Sequence, residues 1–371
     1  MDIRAMIMAA GIGTRLEPLT LCKPKPLVPV ANVAVMEHIL NILKNHGIKE
    51  VICNTHYLAD QMKSYLDSQP VKNLQINHIH EEKLSGTAGG VKKCEYFLNK
   101  GQTFIVMSSD SLTDIDLQSL LKRHQDSGAI ASMALKAVPQ SEVIHMGVVV
   151  TDATGRVLEF QEKPPVEEAK SNLVNTGIYI FEPEIFNYIE ANTFYDFAKQ
   201  VFPALMQDNK PLYGFEIKEY WNDIGTLNQY LLSSYDVLER KVKVNIPGKE
   251  FDHGWIGNNT NTGQNVTFKN KVLIGQNCQI EGNNQFKNNV TLGDNCHTRE
   301  NNTFDGCLLW NNIQTGKNCQ FSKCIIGNNV ITGNNVTISE NSIIADNCQI
   351  PDGATIPPGT LIEPNNTYVL Q

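Results

Sequence analysis

The sequence predicts two structural classes in one chain. Residues 1–240 read as an α/β domain with a doubly wound, mostly parallel sheet, and residues 250–371 as a parallel β-helix. Two observations carry this. In the first part, short β-rich runs alternate with amphipathic stretches of helical period, the pattern of a sheet covered by helices on both faces. In the second part, apolar residues or threonine recur every six positions, the period of a solenoid whose short strands turn three corners per coil.

Taken in order, IRAMIMAAG is a strand entering a glycine turn, and residues 36–45 have helical spacing before Gly47. VICNTH is a strand, 59–66 a helix, LQINHIH a strand, 87–98 helical, FIVMSSD a strand and 117–124 a helix. GVVVTDATGRVLEF reads as a hairpin with DATG at its turn, NTGIYIF as a strand, and 227–240 as a helix leading out.

In the second part, steps of six from Ile256, with two steps of five (to Leu309 and Ile326), visit 19 positions that hold only Ile, Leu, Phe or Thr. Three residues after each, 14 of the 19 positions are Asn, which tolerates the left-handed backbone that a tight corner needs. That strict phase argues against the alternative of an Asn-rich disordered tail.

Composition narrows the function. Hydrophobic residues make up 41% of the 371, enough for packed cores, and 31 Lys plus Arg against 39 Asp plus Glu give a net charge of -8. Such a chain has no overall pull on nucleic acid. No apolar run approaches the ~18 residues of a membrane span. Asp2 and Arg4 interrupt the opening apolar stretch, a poor signal peptide. Nine cysteines without a CxxC read as reduced thiols of a cytoplasmic protein. The expected partners are therefore small molecules and further copies of the chain in a homo-oligomer, with neither nucleic acid nor membrane.

The densest local signal is AAGIGTRLEPLTLCKPKPLVPV, residues 9–30. Gly11 and Gly13 let backbone N–H groups approach a phosphate, Thr14 and Arg15 add a hydroxyl and a guanidinium fork, and Lys25 sits between two prolines. The spacing fits neither a dinucleotide fold nor a P-loop. Further on, HEEKLSGTAGG carries Glu81 five residues before Gly86. FIVMSSD places Asp110 past the end of a buried strand, where α/β enzymes put their chemistry, and YWNDIGT carries Asp223. FQEKPP supplies Glu162 and Lys163, and NTGIY supplies Asn175 and Thr176. Asp114 and Asp116 read as turn and helix-cap residues, and Trp221 as either a sugar platform or core.

GxGTRLxPLTxxxPKPLxPV resembles the signature of the sugar-nucleotide pyrophosphorylases, a nucleotidylyltransferase family. Several members also carry a C-terminal left-handed hexapeptide β-helix, and only this resemblance suggests the handedness. The resemblance implies an enzyme that makes an NDP-sugar and pyrophosphate from a nucleoside triphosphate and a sugar 1-phosphate. It implies nucleotide contacts at Ala10, Gly11, Gly13, Thr14, Glu81 and Gly86, with Glu81 reading the base. It gives Mg2+ to Asp110 and Asp223, and the sugar and its phosphate to Glu162, Lys163, Asn175 and Thr176. Arg15, Lys25 and Lys163 are the expected catalytic cations. Ser85 and Ser109 depart from the family pattern, which usually has an apolar residue and Gly there. A carboxylate at position 81 suits the two N–H donors of guanine. PKPL, GTAG, Glu81 and the β-helix together resemble the mannose-1-phosphate guanylyltransferases of the family, which implies GTP with mannose 1-phosphate as the pair; glucose 1-phosphate uridylyl, thymidylyl or adenylyl transfer is the alternative. A hexapeptide acyltransferase, with only His253 and His297 available in the solenoid, and a non-catalytic regulatory paralogue are the rivals from other classes.

Overall fold

A computed structural model describes residues Ile3–Val369; Asp2, read above as breaking the opening apolar stretch, and the final residues Leu370 and Gln371 lie outside the described residues, as does Met1. The chain divides into two compact units. One holds the N-terminal residues through Ile12 together with Met36–Asp223, and the other holds Gly13–Val35 together with Ile224 onward.

The first unit is built on β1 (Ala5–Met8), α1 (Val35–Asn45), β2 (Glu50–Thr55), α2 (Ala59–Asp67), β3 (Gln75–His80) and α3 (Gly86–Lys93). It continues through β4 (Phe104–Ser108), β5 (Ser111–Thr113), α4 (Leu117–Ser127), β6 (Ala131–Ala137), β7 (Gly147–Thr151), β8 (Val157–Glu162), β9 (Leu173–Phe181), β10 (Leu212–Glu216) and β11 (Trp221–Asp223). The main sheet runs β8-β7-β9-β4-β1-β2-β3, with β6 also pairing β9 and β10 pairing β6. Strands β4, β1, β2 and β3 are parallel, as expected of strands joined by helical crossovers. β9 is antiparallel to β4, β6 and β7, so the whole sheet is mixed.

The apolar patterns explain these elements. Ala5, Met6 and Ile7 are fully buried, the run of a central strand covered on both faces. In α1, Met36, Ile39, Leu40 and Leu43 are completely buried on one helical stripe, each such burial contributing about 1.5–3 kcal/mol. Asp116 starts α4 by accepting from the amides of Gln118 and Ser119, the cap expected of it, and Gly128 ends the helix at φ 63°.

In the second unit, α5 (Leu227–Leu238) precedes a solenoid of three sheets of eight, six and six strands, parallel throughout except for its first pair. All 14 predicted corner asparagines have positive φ. Along one edge their amides form an unbroken ladder from Asn259 to Asn365, with donor–acceptor distances of 2.9–3.2 Å. Inside, Phe268, Phe286, Phe304 and Phe321 stack with centroids 4.9–5.3 Å apart. The two five-residue steps explain Cys307 and Cys324. At those shortened corners Gly306 and Lys323 take the left-handed conformation instead, and both thiols turn into the core 3.8 Å apart. Eight of the nine cysteines are buried, Cys22 is half-buried, and all are free thiols. No helix among the described residues is long and apolar enough to cross a membrane.

Candidate active site

In the first unit the candidate residues gather at the ends of β1 and β4. β1 stops at Met8; the Ala9 amide then donates to Asn54 Oδ1 at 2.9 Å, and Ala10 is buried while Gly11 is exposed. A Cβ at Gly11 would meet nothing within 4 Å, so nothing in the protein itself demands a glycine there. The Ser109 amide donates to the Met8 carbonyl, which draws the residues after β4 alongside this turn.

Asp110 accepts a short hydrogen bond from Ser108 Oγ. The register of β5 with β11 sets Asp223 opposite Ser111, so the two candidate metal carboxylates, 113 positions apart in sequence, arrive on neighbouring strand positions. The Ser111 hydroxyl is buried and has no hydrogen-bond partner. Carboxylates and a hydroxyl are hard oxygen donors, the type that suits Mg2+. Asp114 does different work. It accepts from the Tyr220 amide at 2.8 Å, and Thr113 Oγ1 donates to the Tyr220 carbonyl at 2.7 Å, which fixes the register that delivers Asp223.

Glu162 and Lys163 end β8 and are exposed; Lys163 Nζ lies 3.6 Å from Glu162 Oε1. Lys163 has φ 48°, a left-handed backbone that costs a non-glycine residue roughly 1–2 kcal/mol and that its amide holds by donating to the Met146 carbonyl at 3.1 Å. Gly177, at φ 74°, breaks the register of β9 against β6, and Ser108 packs where its Cβ would stand. Asn175 sits in that bulge, donating to Tyr179 OH and accepting from the Gly177 amide. Trp221 packs on the Met146, Val148 and Val174 cluster, with its indole N–H buried and unpartnered.

Two of the expected site residues lie inside the protein. Glu81 is 1% exposed, and its carboxylate holds internal partners. Oε1 accepts from Asn54 Nδ2 at 2.6 Å; Oε2 accepts from the Ser85 amide at 3.1 Å, from Ser85 Oγ, and from Lys93 Nζ at 3.0 Å. Burial by itself raises the carboxyl pKa, but the donors from Ser85, Asn54 and Lys93 outweigh it and hold the group below the ordinary carboxylate range. Thr176 is 3% exposed, and its Oγ1 donates to the Ala134 carbonyl at 2.8 Å. Gly86 answers to packing, because a Cβ there would lie 2.4 Å from the Tyr195 carbonyl oxygen. Sequence reasoning missed Asn54, which joins the Ala9 amide to Glu81; a polar residue inside the buried run VICNTH was the available signal.

Gly13, Thr14, Arg15 and Lys25 lie in the second unit. Gly13 has φ 77°, and a Cβ on it would lie 2.8 Å from Lys25 Cβ, so this glycine is needed both for its backbone and for the lysine it packs against. Thr14 and Arg15 are exposed, whereas Lys25 is only 7% exposed. In the solenoid, His297 pairs with Glu281 at 2.7 Å and the His253 ring packs beside Phe251 and Phe268.

Residues 4–240 match the nucleotidyl transferase family, and residues 252–356 match the EIF2B subunit epsilon LbH domain. A UTP--glucose-1-phosphate uridylyltransferase of Synechocystis sp. is 41% identical over 263 residues, 68% of this chain and 68% of that protein. The mannose-1-phosphate guanylyltransferase catalytic subunit beta of Dictyostelium discoideum is 35% identical over 231 residues, which span 62% of this chain and 63% of that protein, less than two thirds of its length. Among solved structures, a putative glucose-1-phosphate thymidylyltransferase from Bacillus anthracis superposes with a TM-score of 0.57 at 22% identity, covering 66% of this chain and 97% of that one. At that identity the likeness shows the fold of the first part.

Proposed function

Because the chain belongs to the nucleotidyl transferase family and ends in a left-handed β-helix domain, we propose that it transfers a nucleotidyl group from a nucleoside triphosphate to a sugar 1-phosphate, with UTP and glucose 1-phosphate as its pair. The observation that supports the reaction class is the backbone register at the carboxyl end of a buried parallel strand, where Asp110 directly precedes Ser111 and Asp223 pairs opposite Ser111. The choice of pair rests on the 41% identical uridylyltransferase. The argument for guanine loses its support, because the Glu81 carboxylate is spent on Asn54, Ser85 and Lys93. GTP with mannose 1-phosphate remains the second reading, favoured by the guanylyltransferases among the relatives.

The chemistry needs no general base. An oxygen of the sugar 1-phosphate already carries negative charge; it forms a bond to the α-phosphorus as the bond from that phosphorus to the bridging oxygen breaks, and pyrophosphate leaves with the electron pair. The protein has to position the two anions and neutralise them. In this reading Arg15 and Lys25 hold the triphosphate and the departing pyrophosphate. Lys163, with Glu162 and Asn175, receives the sugar 1-phosphate, and the strained Lys163 backbone keeps that cation at the strand end. Bound at Asp110 and Asp223, Mg2+ would supply charge neutralisation on the phosphate oxygens. The exposed backbone at Gly11 leaves room for a phosphate to approach.

The test is pyrophosphate release with Mg2+ across UTP, GTP, dTTP, ATP and CTP, each against glucose, mannose, galactose, fucose and N-acetylglucosamine 1-phosphates. Dominant turnover of UTP with glucose 1-phosphate supports the reading. Dominance of GTP with mannose 1-phosphate replaces the pair while keeping the class, and no release from folded protein refutes the class.

A further inference from the structure

The solenoid has an unusual third face. On two of its sheets the residues that point away from the core are polar except for Ile331 and mostly exposed, such as Gln279, Gln314 and Gln349 on one and Gln285, Gln320 and Thr355 on the other. On the remaining sheet the outward positions Trp255, Leu273, Thr291, Leu308, Ile325 and Ile343 are all no more than 6% exposed although none belongs to the solenoid core, and only the last, Leu361, is open at 55%. Outward apolar side chains stay dry only under a cover. In this unit α5 and Gly13–Val35, the segment that bears Arg15 and Lys25, bond to this side of the solenoid, through Tyr230 to Trp310, Tyr235 to the Gly306 carbonyl and Asn32 to Leu292.

That segment has little structure of its own. It consists of three single 3-10 turns and a two-residue hairpin, Pro29–Val30 against Val33–Ala34. At the hairpin tip Ala31 and Asn32 have φ 52° and 59°, an unfavourable backbone for alanine. Short 3-10 turns and a lone hairpin are marginal by themselves, so the shape of the segment depends on what it rests against.

Three contacts tie it down. Asn32 Nδ2 donates to the carbonyl of Leu292, a solenoid strand residue 260 positions away, at 2.9 Å. Trp310, 3% exposed, donates from Nε1 to Tyr230 OH at 2.8 Å, and Tyr230 OH donates onward to the Pro29 carbonyl at 2.6 Å. Lys23 Nζ lies 5.6 Å above the centre of the Trp310 ring. At the other end of the segment, Thr20 Oγ1 donates to the Gly13 carbonyl at 2.9 Å and Lys25 packs on Gly13. The residues that carry the two cations therefore lie between these solenoid contacts and the Gly13 turn.

We propose that this face of the solenoid is part of the nucleotide machinery, and that Trp310, Tyr230 and Asn32 are positioning residues that hold Arg15 and Lys25 in place for the triphosphate. The inference rests on the reaction class proposed above and gives the β-helix a duty besides assembly.

The test uses the full chain carrying Asn32→Gly, Trp310→Ala or Trp310→Phe, with Gln314→Ala on an exposed face as control. Asn32→Gly keeps the positive φ and removes only the donor to Leu292. Two readouts apply. In hydrogen exchange, the amides of Leu16, Leu27, Val28 and Val35, each bonded within or at the end of the segment, exchange about tenfold faster in Asn32→Gly and Trp310→Ala, while Ile105 and Gln314 keep their rates. In steady-state assays, KM for the nucleoside triphosphate rises about tenfold and KM for the sugar 1-phosphate does not move. Trp310→Phe, which keeps a ring under Lys23 but loses the indole donor, falls between wild type and Trp310→Ala. Unchanged exchange in both Asn32→Gly and Trp310→Ala overturns the inference, as does a rise spread equally over Ile105 and Gln314 or a loss shared equally by both substrates. If wild type turns over no substrate pair, the proposed function fails, and the exchange measurement still decides whether the solenoid orders the segment.

Discussion

Replacing Glu81 with alanine separates the two roles this residue can have. Removing the carboxylate strands three buried donors, the Asn54 amide, the Ser85 amide and the Ser85 hydroxyl. Each unsatisfied buried donor costs ~1–3 kcal/mol, and Lys93, whose side chain is 35% exposed, recovers its hydration and adds little. Partial relaxation brings the expected loss to about 3–5 kcal/mol, the range seen when one partner of a buried charged pair is removed. Urea unfolding of Glu81→Ala against wild type measures it as a lower midpoint with an unchanged slope. The pH dependence has a fixed sign. The folded pKa lies below the unfolded one, so the stabilisation is complete above the ordinary Glu value of about 4.3 and is lost as pH falls through the depressed folded pKa. The difference in stability between wild type and Glu81→Gln therefore shrinks on acidification. A variant as stable as wild type to within ~0.5 kcal/mol, but with a raised KM for one nucleotide only, would refute the internal role and restore base reading.

Four further outcomes follow from the same geometry. Arg15→Ala and Asp110→Ala each lower kcat by about 100-fold or more with the fold intact by circular dichroism; near-normal turnover removes the site assignment. Asp116→Ala, which loses the cap on Gln118 and Ser119, lowers stability by about 1 kcal/mol in thermal unfolding and leaves turnover unchanged. At the corner residue Asn329, φ 58°, alanine costs ~1–2 kcal/mol more than glycine does in denaturant titrations, because only the alanine strains the left-handed backbone. A thiol titration of the native chain finds one accessible cysteine, Cys22, and the remaining eight react only after unfolding.

How much of this was legible in the sequence depended on the range of the interaction that decides it. The solenoid was legible in detail because each coil repeats a local rule, an inward apolar residue and a left-handed corner, and each repeat contacts its neighbours. Even the irregular corners at Cys307 and Cys324 were visible as missing residues, although the shift of the left-handed position to Gly306 and Lys323 needed coordinates. The position of Asp110 was legible because a buried strand ends there; its pairing with Asp223 was supplied by resemblance, and the β5–β11 register sets Asp223 opposite the next residue, Ser111. The internal partners of Glu81 and Thr176 were not legible for one physical reason: spacing identifies a polar residue at a strand end but not the direction of its side chain. The mixed sheet was partly hidden, since β9 pairs antiparallel to three strands from different stretches of the chain. The bond from Asn32 to Leu292 spans 260 positions, and no local pattern announces it.

The central claim is that a phosphate oxygen of a sugar 1-phosphate displaces pyrophosphate from a nucleoside triphosphate. Phosphorus NMR of a reaction containing folded protein, Mg2+, UTP and glucose 1-phosphate tests this directly. The account predicts that the three UTP resonances give way to one nucleotide-sugar diphosphate and one pyrophosphate in equal amounts, only when glucose 1-phosphate is present, and that added pyrophosphate drives the reaction back. Release of inorganic phosphate with a nucleoside diphosphate, or UTP consumption independent of the sugar phosphate, would contradict it.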